Sequence, residues 1–136
     1  MLQHFIDAQA DTFALALSEL ERGKKQGHWM WFTFPQLLGL GHSEMSQRFS
    51  LTGLSHAREY FSHPVLGSRL REATKAILKH RGIKTAYEIL SSPDDLKFRS
   101  CMTLFKHAAP DEPIFSEVIL EFYRGHEDPE TLRRLL

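Results

Sequence analysis

Apolar residues recur at helical spacing through most of the chain. Phe13, Ala16, Leu17 and Leu20 follow the i, i+3, i+4, i+7 pattern of an amphipathic helix. Gly23 stands where a left-handed C-terminal cap belongs, with Arg22 in the preceding turn. Ser43 predicts a short helix through Phe49, and Ser55 another through Phe61. His63-Pro64 opens a longer helix, because proline fits the first helical position. The apolar face of that helix is Leu66, Leu70, Ala73 and Ile77, and Gly82 is its stop. Thr85-Ala86-Tyr87-Glu88 has capping-box form and starts a short helix through Leu90. Ser92-Pro93-Asp94-Asp95 combines a capping serine, a proline at the first helical position and two carboxylates facing the positive end of the helix dipole. The helix it starts should run to about Ala108. Pro110 to Pro113 breaks the chain, and a helix through Tyr123 follows, carrying Ile114, Val118, Leu120 and Phe122 and stopping at Gly125. Asp128-Pro129 starts a last short helix to Leu135.

One stretch departs from this pattern. His28-Trp29-Met30-Trp31-Phe32-Thr33-Phe34-Pro35-Gln36 holds both tryptophans and two of the ten phenylalanines. Its aromatics partly alternate, which predicts an extended run over Trp29–Phe34, limited by Pro35 and followed by a bend at Gly39 and Gly41. The expected fold is all-α: one compact domain over residues 1–136, with about seven or eight mostly short helices and at most one or two short strands. So many short helices argue against a simple four-helix bundle.

Composition narrows the function classes. A chain of this length buries roughly 68–70% of its unfolded surface, enough for a real core. Lys and Arg number 17 and Asp and Glu number 17, so nothing draws the chain generally to nucleic acid or anionic membrane. Arg69, Arg71, Lys75, Lys79, His80, Arg81 and Lys84 form a local basic run that fits the solvated face of a helix. Nucleic-acid binding ranks last, and no apolar run approaches the ~20 residues of a membrane span. Cys101 is the only cysteine, which excludes an intrachain disulfide and fits a reducing cytoplasm. Met1-Leu2-Gln3-His4-Phe5 lacks the pattern of a signal peptide, so a cytoplasmic location is expected.

Candidate chemistry is confined to two segments. The chain has no glycine-rich phosphate loop, HExxH, EF-hand loop or CxxC, and its eight histidines form no i, i+4 pair. No metal site and no cofactor is expected. Cys101 sits among Phe98, Met102, Leu104 and Phe105, where a buried, inert thiol is favoured over a nucleophile. The helix after Ser92 is apolar around most of its circumference and should be central. Yet Asp95, Arg99, Thr103 and Lys106 fall on one stripe of it. Buried charge needs partners. Either Asp95 pairs with Arg99 and the stripe ties helices together, or Arg99 and Lys106 meet an anionic ligand in a pocket. The aromatic segment offers a matching choice between core and pocket wall. In an extended run Trp29 and Trp31 point the same way and would stack on a planar ring, with His28 and Gln36 supplying hydrogen bonds.

The same segments carry a resemblance. Gly27-His28-Trp29-Met30-Trp31-Phe32 with Phe34-Pro35-Gln36-Leu37 is one matching stretch, and His63-Pro64-Val65-Leu66-Gly67 with Arg69-Leu70 is another. Ser92-Pro93-Asp94-Asp95-Leu96-Lys97 with Arg99-Ser100-Cys101-Met102-Thr103-Leu104-Phe105 is the third, with Asp7-Ala8-Gln9 and Pro110-Asp111 alongside. On these the chain resembles the bacterial domain-of-unknown-function family 1810. The resemblance implies a mainly α-helical domain and no established activity. A calpastatin label sometimes attached to that family does not fit, since that inhibitor is a long disordered chain and this composition is globular. In its aromatic early segment and its His63-Pro64-Val65-Leu66 helix start, the chain is also loosely similar to the helical NADAR proteins. Those are linked to NAD and ADP-ribose metabolism and include N-glycosidases.

The expectation is a small-molecule pocket that binds, and by extension hydrolyses, a nucleotide-like or ADP-ribose-like ligand. Trp29 or Trp31 would stack on the base, and Arg99 with Lys97 or Lys106 would hold phosphate. His28, Gln36 and Thr103 complete the candidate ligand set. Asp95 is the candidate general base, because an acid so close to Arg99 is ionised at neutral pH. A non-enzymatic protein-interaction module is the alternative.

Overall fold

The computed structural model describes residues 1–136 and contains ten helices and no strand. They are α1 (Gln3–Ala10), α2 (Phe13–Arg22), α3 (Met30–Thr33), α4 (Glu44–Arg48), α5 (Leu54–Ser62), α6 (Pro64–Leu78), α7 (Ala86–Leu90), α8 (Asp94–Ala108), α9 (Pro113–Tyr123) and α10 (Pro129–Leu135). The fold is therefore all-α, as expected, with α1 and α3 in addition to the elements read from the sequence. Leu37 and Leu51 form an isolated parallel bridge between two loops.

The two longest helices, α6 and α8, organise the packing. α5 and α9 each contact both of them, which makes a four-membered ring of helices. α2 lies on α6, α1 and α3 fill its other flank, and α7 and α10 pack on α8. Six further helices around that ring explain why the domain is not a simple bundle. Leu66, Leu70, Ala73 and Ile77 of α6 are all buried, as their spacing predicts. Residues Cys101 to Phe105 of α8 are buried without a break, so the middle of this helix is covered on every side. Burial pushes the Cys101 thiol up, which suits the core role. Aromatic rings join the layers: Phe5 stands edge-on to Tyr60, and Phe61 edge-on to Phe115. Phe5, Tyr60 and Phe115 are fully buried, and each contributes about 1.5–3 kcal/mol of transfer free energy. Gly67 is what lets α6 lie so close to α5, because a Cβ there would sit 1.9 Å from the Phe61 carbonyl oxygen.

Most helix ends follow their sequence signals. The Ser43 hydroxyl accepts from Ser46 N, Thr85 and Glu88 form the full capping box, and the Asp128 carboxylate accepts from Thr131 N. The His63 ring caps α6 by accepting from Val65 N and Leu66 N. Gly23 adopts φ 78° after α2. Three ends differ. α5 begins two residues early, with Gly53 at the cap position in place of Ser55. α6 ends at Leu78, and turns carry the chain from there to Gly82. At α8 Pro93, not Ser92, holds the cap position, and the Ser91 carbonyl takes the Asp95 N–H.

The larger correction concerns Trp29–Phe34. It is not extended: Thr33 N donates to Trp29 O at 3.2 Å and Phe34 N to Met30 O at 3.0 Å, which closes the single turn of α3. All of its side chains except Trp31 are buried, so the aromatic alternation marked burial and not a strand with two faces. Neighbours two apart on a helix point about 200° apart, so Trp29 and Trp31 face different ways. Trp29 is 1% exposed. Trp31 is half-buried at the surface.

Candidate functional site

The site begins with a buried carboxylate. Glu19, near the end of α2, is 3% exposed. Its Oε1 accepts from Gln26 N at 2.9 Å, Gly27 N at 2.9 Å and Trp29 Nε1 at 2.8 Å. Burial pushes its pKa up, but these three donors outweigh burial and hold it below the ordinary carboxylate value. One side chain thereby shapes the loop from α2 to α3 and seats Trp29 in the core.

That loop delivers Lys25 to the start of α8. Lys25 N donates to Ile89 O at 2.7 Å. Its ammonium lies 2.7 Å from Gly27 O, 2.9 Å from Asp94 Oδ2 and 5.2 Å from the centre of the Trp29 ring. Lys97, one turn along α8, stands 4.0 Å from the other oxygen of Asp94 and 5.8 Å from the centre of the Trp31 ring. Two lysines thus share the Asp94 carboxylate, and Lys97 has the looser hold on it. Trp31, Gln36 and Lys97 line a common hollow with Gly41, Ser46 and Phe49. Its volume is about 10 Å³, room for a single water. The structure therefore brings Trp31, Gln36 and Lys97 together from segments about sixty residues apart. Lys25 and Asp94 belong to the same cluster and were not singled out as site residues. Their only signals were a lysine flanking the aromatic run and a first-turn carboxylate next to Asp95.

The remaining candidates lie elsewhere. Trp29 is sealed inside, and His28 is exposed. Of the two alternatives for the stripe, the Asp95–Arg99 ion pair does not form; Arg99 turns instead to Asp128, at 3.6 Å. Asp95 Oδ1 and Arg99 Nε are both buried without a partner. The Tyr123 hydroxyl donates to the Asp95 carbonyl, and burial with the nearby Asp95 charge pushes that phenol up. Thr103 donates to Arg99 O at 2.8 Å and accepts from Asp128 N at 2.9 Å. Lys106 and His107 both reach Glu127, at 3.1 and 2.6 Å. The polar stripe of α8 is thus occupied by the segment leading into α10.

The basic run of α6 is equally committed. Arg71 pairs with Glu112 and Arg81 with Glu117. Lys84 donates to Gly23 O, His80 meets Leu20 O, and Arg69 donates to Gln9. Lys75 and Lys79 alone in the run have no partner.

Fold and cluster together define a ten-helix protein with a lysine–aromatic hollow beside its core, and no helix in it is long and apolar enough to cross a membrane. Residues 1–135 match the family described as "Protein of unknown function (DUF1810)", and the chain belongs to that family. It is similar to a solved structure, the conserved hypothetical protein Rv1873 from Mycobacterium tuberculosis, at 40% identity and a TM-score of 0.95. The match covers 98% of this chain and 95% of that one. No curated protein matches the chain.

Proposed function

We propose that this protein binds a small anionic ligand carrying a flat ring, of the nucleotide or ADP-ribose kind, over Trp31 and Lys97. The supporting observation is the placement of the Lys97 ammonium 5.8 Å from the Trp31 ring centre, with Gln36 lining the same hollow. An indole face at the surface stacks on a planar ring, and an ammonium beside it that meets Asp94 only at 4.0 Å takes a phosphate. Gln36 supplies a donor and an acceptor for the ring edge. The hollow admits one water as it stands, so the ligand lies on its outer face or Trp31 swings aside to receive it. Hydrolysis is a further step. Neither Asp95, the general base expected from the sequence, nor Asp94 lines the hollow, so the proposal is confined to binding.

The test is titration with ADP-ribose and with AMP, read by tryptophan fluorescence and by calorimetry. Saturable binding that weakens about tenfold in both Trp31→Ala and Lys97→Gln supports the proposal. Absence of binding by folded protein, or binding indifferent to both substitutions, refutes it.

A further inference from the structure

A second site stands on the far side of α8's C-terminal end. Between α5, α6 and the turn joining α8 to α9 lies an open cleft of about 430 Å³, within the size range of small-molecule sites. None of the residues around the Trp31 hollow lines it.

One wall seeks an anion. Arg71 is fixed from two sides: its Nε donates to Glu112 Oε1 at 2.8 Å, and its guanidinium lies 4.7 Å from the centre of the Phe61 ring. The two terminal nitrogens of Arg71 have no protein partner. Arg58, exposed on the same rim, forms no ion pair at all. The other wall seeks a cation. Helix α8 ends at Ala108, and the next residue but one is Pro110, which has no N–H. Glu112 N goes to Ala109 O, so the carbonyls of the last α8 residues lack backbone donors and present the negative end of the helix dipole. Asp111, exposed beside them, forms no ion pair. With Arg71 balanced by Glu112, the cleft keeps one unmatched charge of each sign on different elements. Phe61 gives it an apolar floor.

We propose that this cleft binds a free α-amino acid with an apolar side chain. The carboxylate meets Arg58 and the free edge of Arg71, the ammonium meets Asp111 and the terminal carbonyls of α8, and the side chain lies over Phe61. A phosphate monoester would set its charge against Asp111 with no compensating gain, and a simple cation would face Arg58.

The experiment is an amide NMR titration of the intact chain with L-phenylalanine, N-acetyl-L-phenylalanine and L-phenylalanine methyl ester. The acetyl probe lacks the ammonium and the ester lacks the carboxylate. Saturable shifts at Phe61, Ala109 and Asp111 are expected with the free amino acid in about the millimolar range, with both blocked probes at least about tenfold weaker. Arg58→Gln and Asp111→Asn, both at exposed positions, each weaken binding several-fold, and Trp31→Ala leaves it unchanged. Three outcomes overturn the proposal: no saturable shift in the cleft, a blocked probe that binds as tightly as the free amino acid, or shifts confined to Trp31 and its neighbours. The Trp31 proposal stands or falls separately, on the nucleotide titration.

Discussion

The two ends of α8 use the same kinds of residue to opposite effect. From its middle to its C-terminal end, Arg99 faces Asp128, and Lys106 and His107 share Glu127. Ser100, Thr103 and Thr131 satisfy the remaining acceptor and donor positions around Asp128. At the N-terminal end Lys25 and Lys97 face Asp94 alone, and an indole lies open next to them. A polar group beside the core is a fastener when its partners come from the chain itself. It becomes a candidate for binding when its hold on such a partner is loose and it lies open beside an indole, as Lys97 does.

The comparison breaks most visibly through Glu19. Glu19→Ala strands three buried or half-buried N–H donors at once and should cost roughly 3 kcal/mol of stability, read by urea unfolding. It should also abolish ligand binding at Trp31, because Lys25 loses its support. Glu19→Gln, which keeps an acceptor, should cost visibly less. Next in size is Asp128→Ala, which removes a helix cap and the partner of Arg99 and Ser100; a loss of about 2 kcal/mol is expected, with nucleotide binding untouched. If Asp128→Ala abolishes binding, the two ends of α8 are one site and the distinction drawn above fails. Trp31→Ala is the converse: about tenfold in ligand affinity for well under about 1 kcal/mol of stability, since the ring is half exposed.

The smallest effect is that of pH on the α10 clasp. Burial pushes the Glu127 carboxyl up, but hydrogen bonds from Lys106 and His107 prevail and hold it below its ordinary value of 4.5. A carboxylate whose pKa is depressed by folding stabilises the native state above its unfolded value, and that contribution fades as pH falls through the folded one. Wild type should therefore exceed Glu127→Gln in stability at neutral pH, and the gap should close below about pH 4. A gap that widens on acidification would contradict the clasp.

Local capping chemistry is what made the fold legible. Ser43, Thr85, Asp128 and Gly23 each act within a few residues of their own position, so their consequences could be read directly. α1 carries no side-chain cap at Leu2, and α3 is a single turn among buried aromatics, so neither announced itself. The candidate site was legible where a motif supplied it, at Trp31, Gln36 and Lys97. Lys25 was not, because nothing in its neighbours separates it from Lys24; only the loop shaped by Glu19 turns one of the two inward. The fate of the α8 stripe was hidden for the same reason, since Glu127 and Asp128 arrive from more than twenty residues away. For Arg99 the sequence offered a partner four residues back, Asp95, and the fold chose another.

The unequal burial of the two indoles gives the molecule a built-in optical pair. Trp29, sealed and donating its N–H to Glu19, should emit towards the blue and resist quenching by acrylamide. Trp31, at the surface beside an ammonium, should emit further to the red and quench readily. Selective quenching therefore separates unfolding, which changes both signals, from occupancy of the outer face, which changes one.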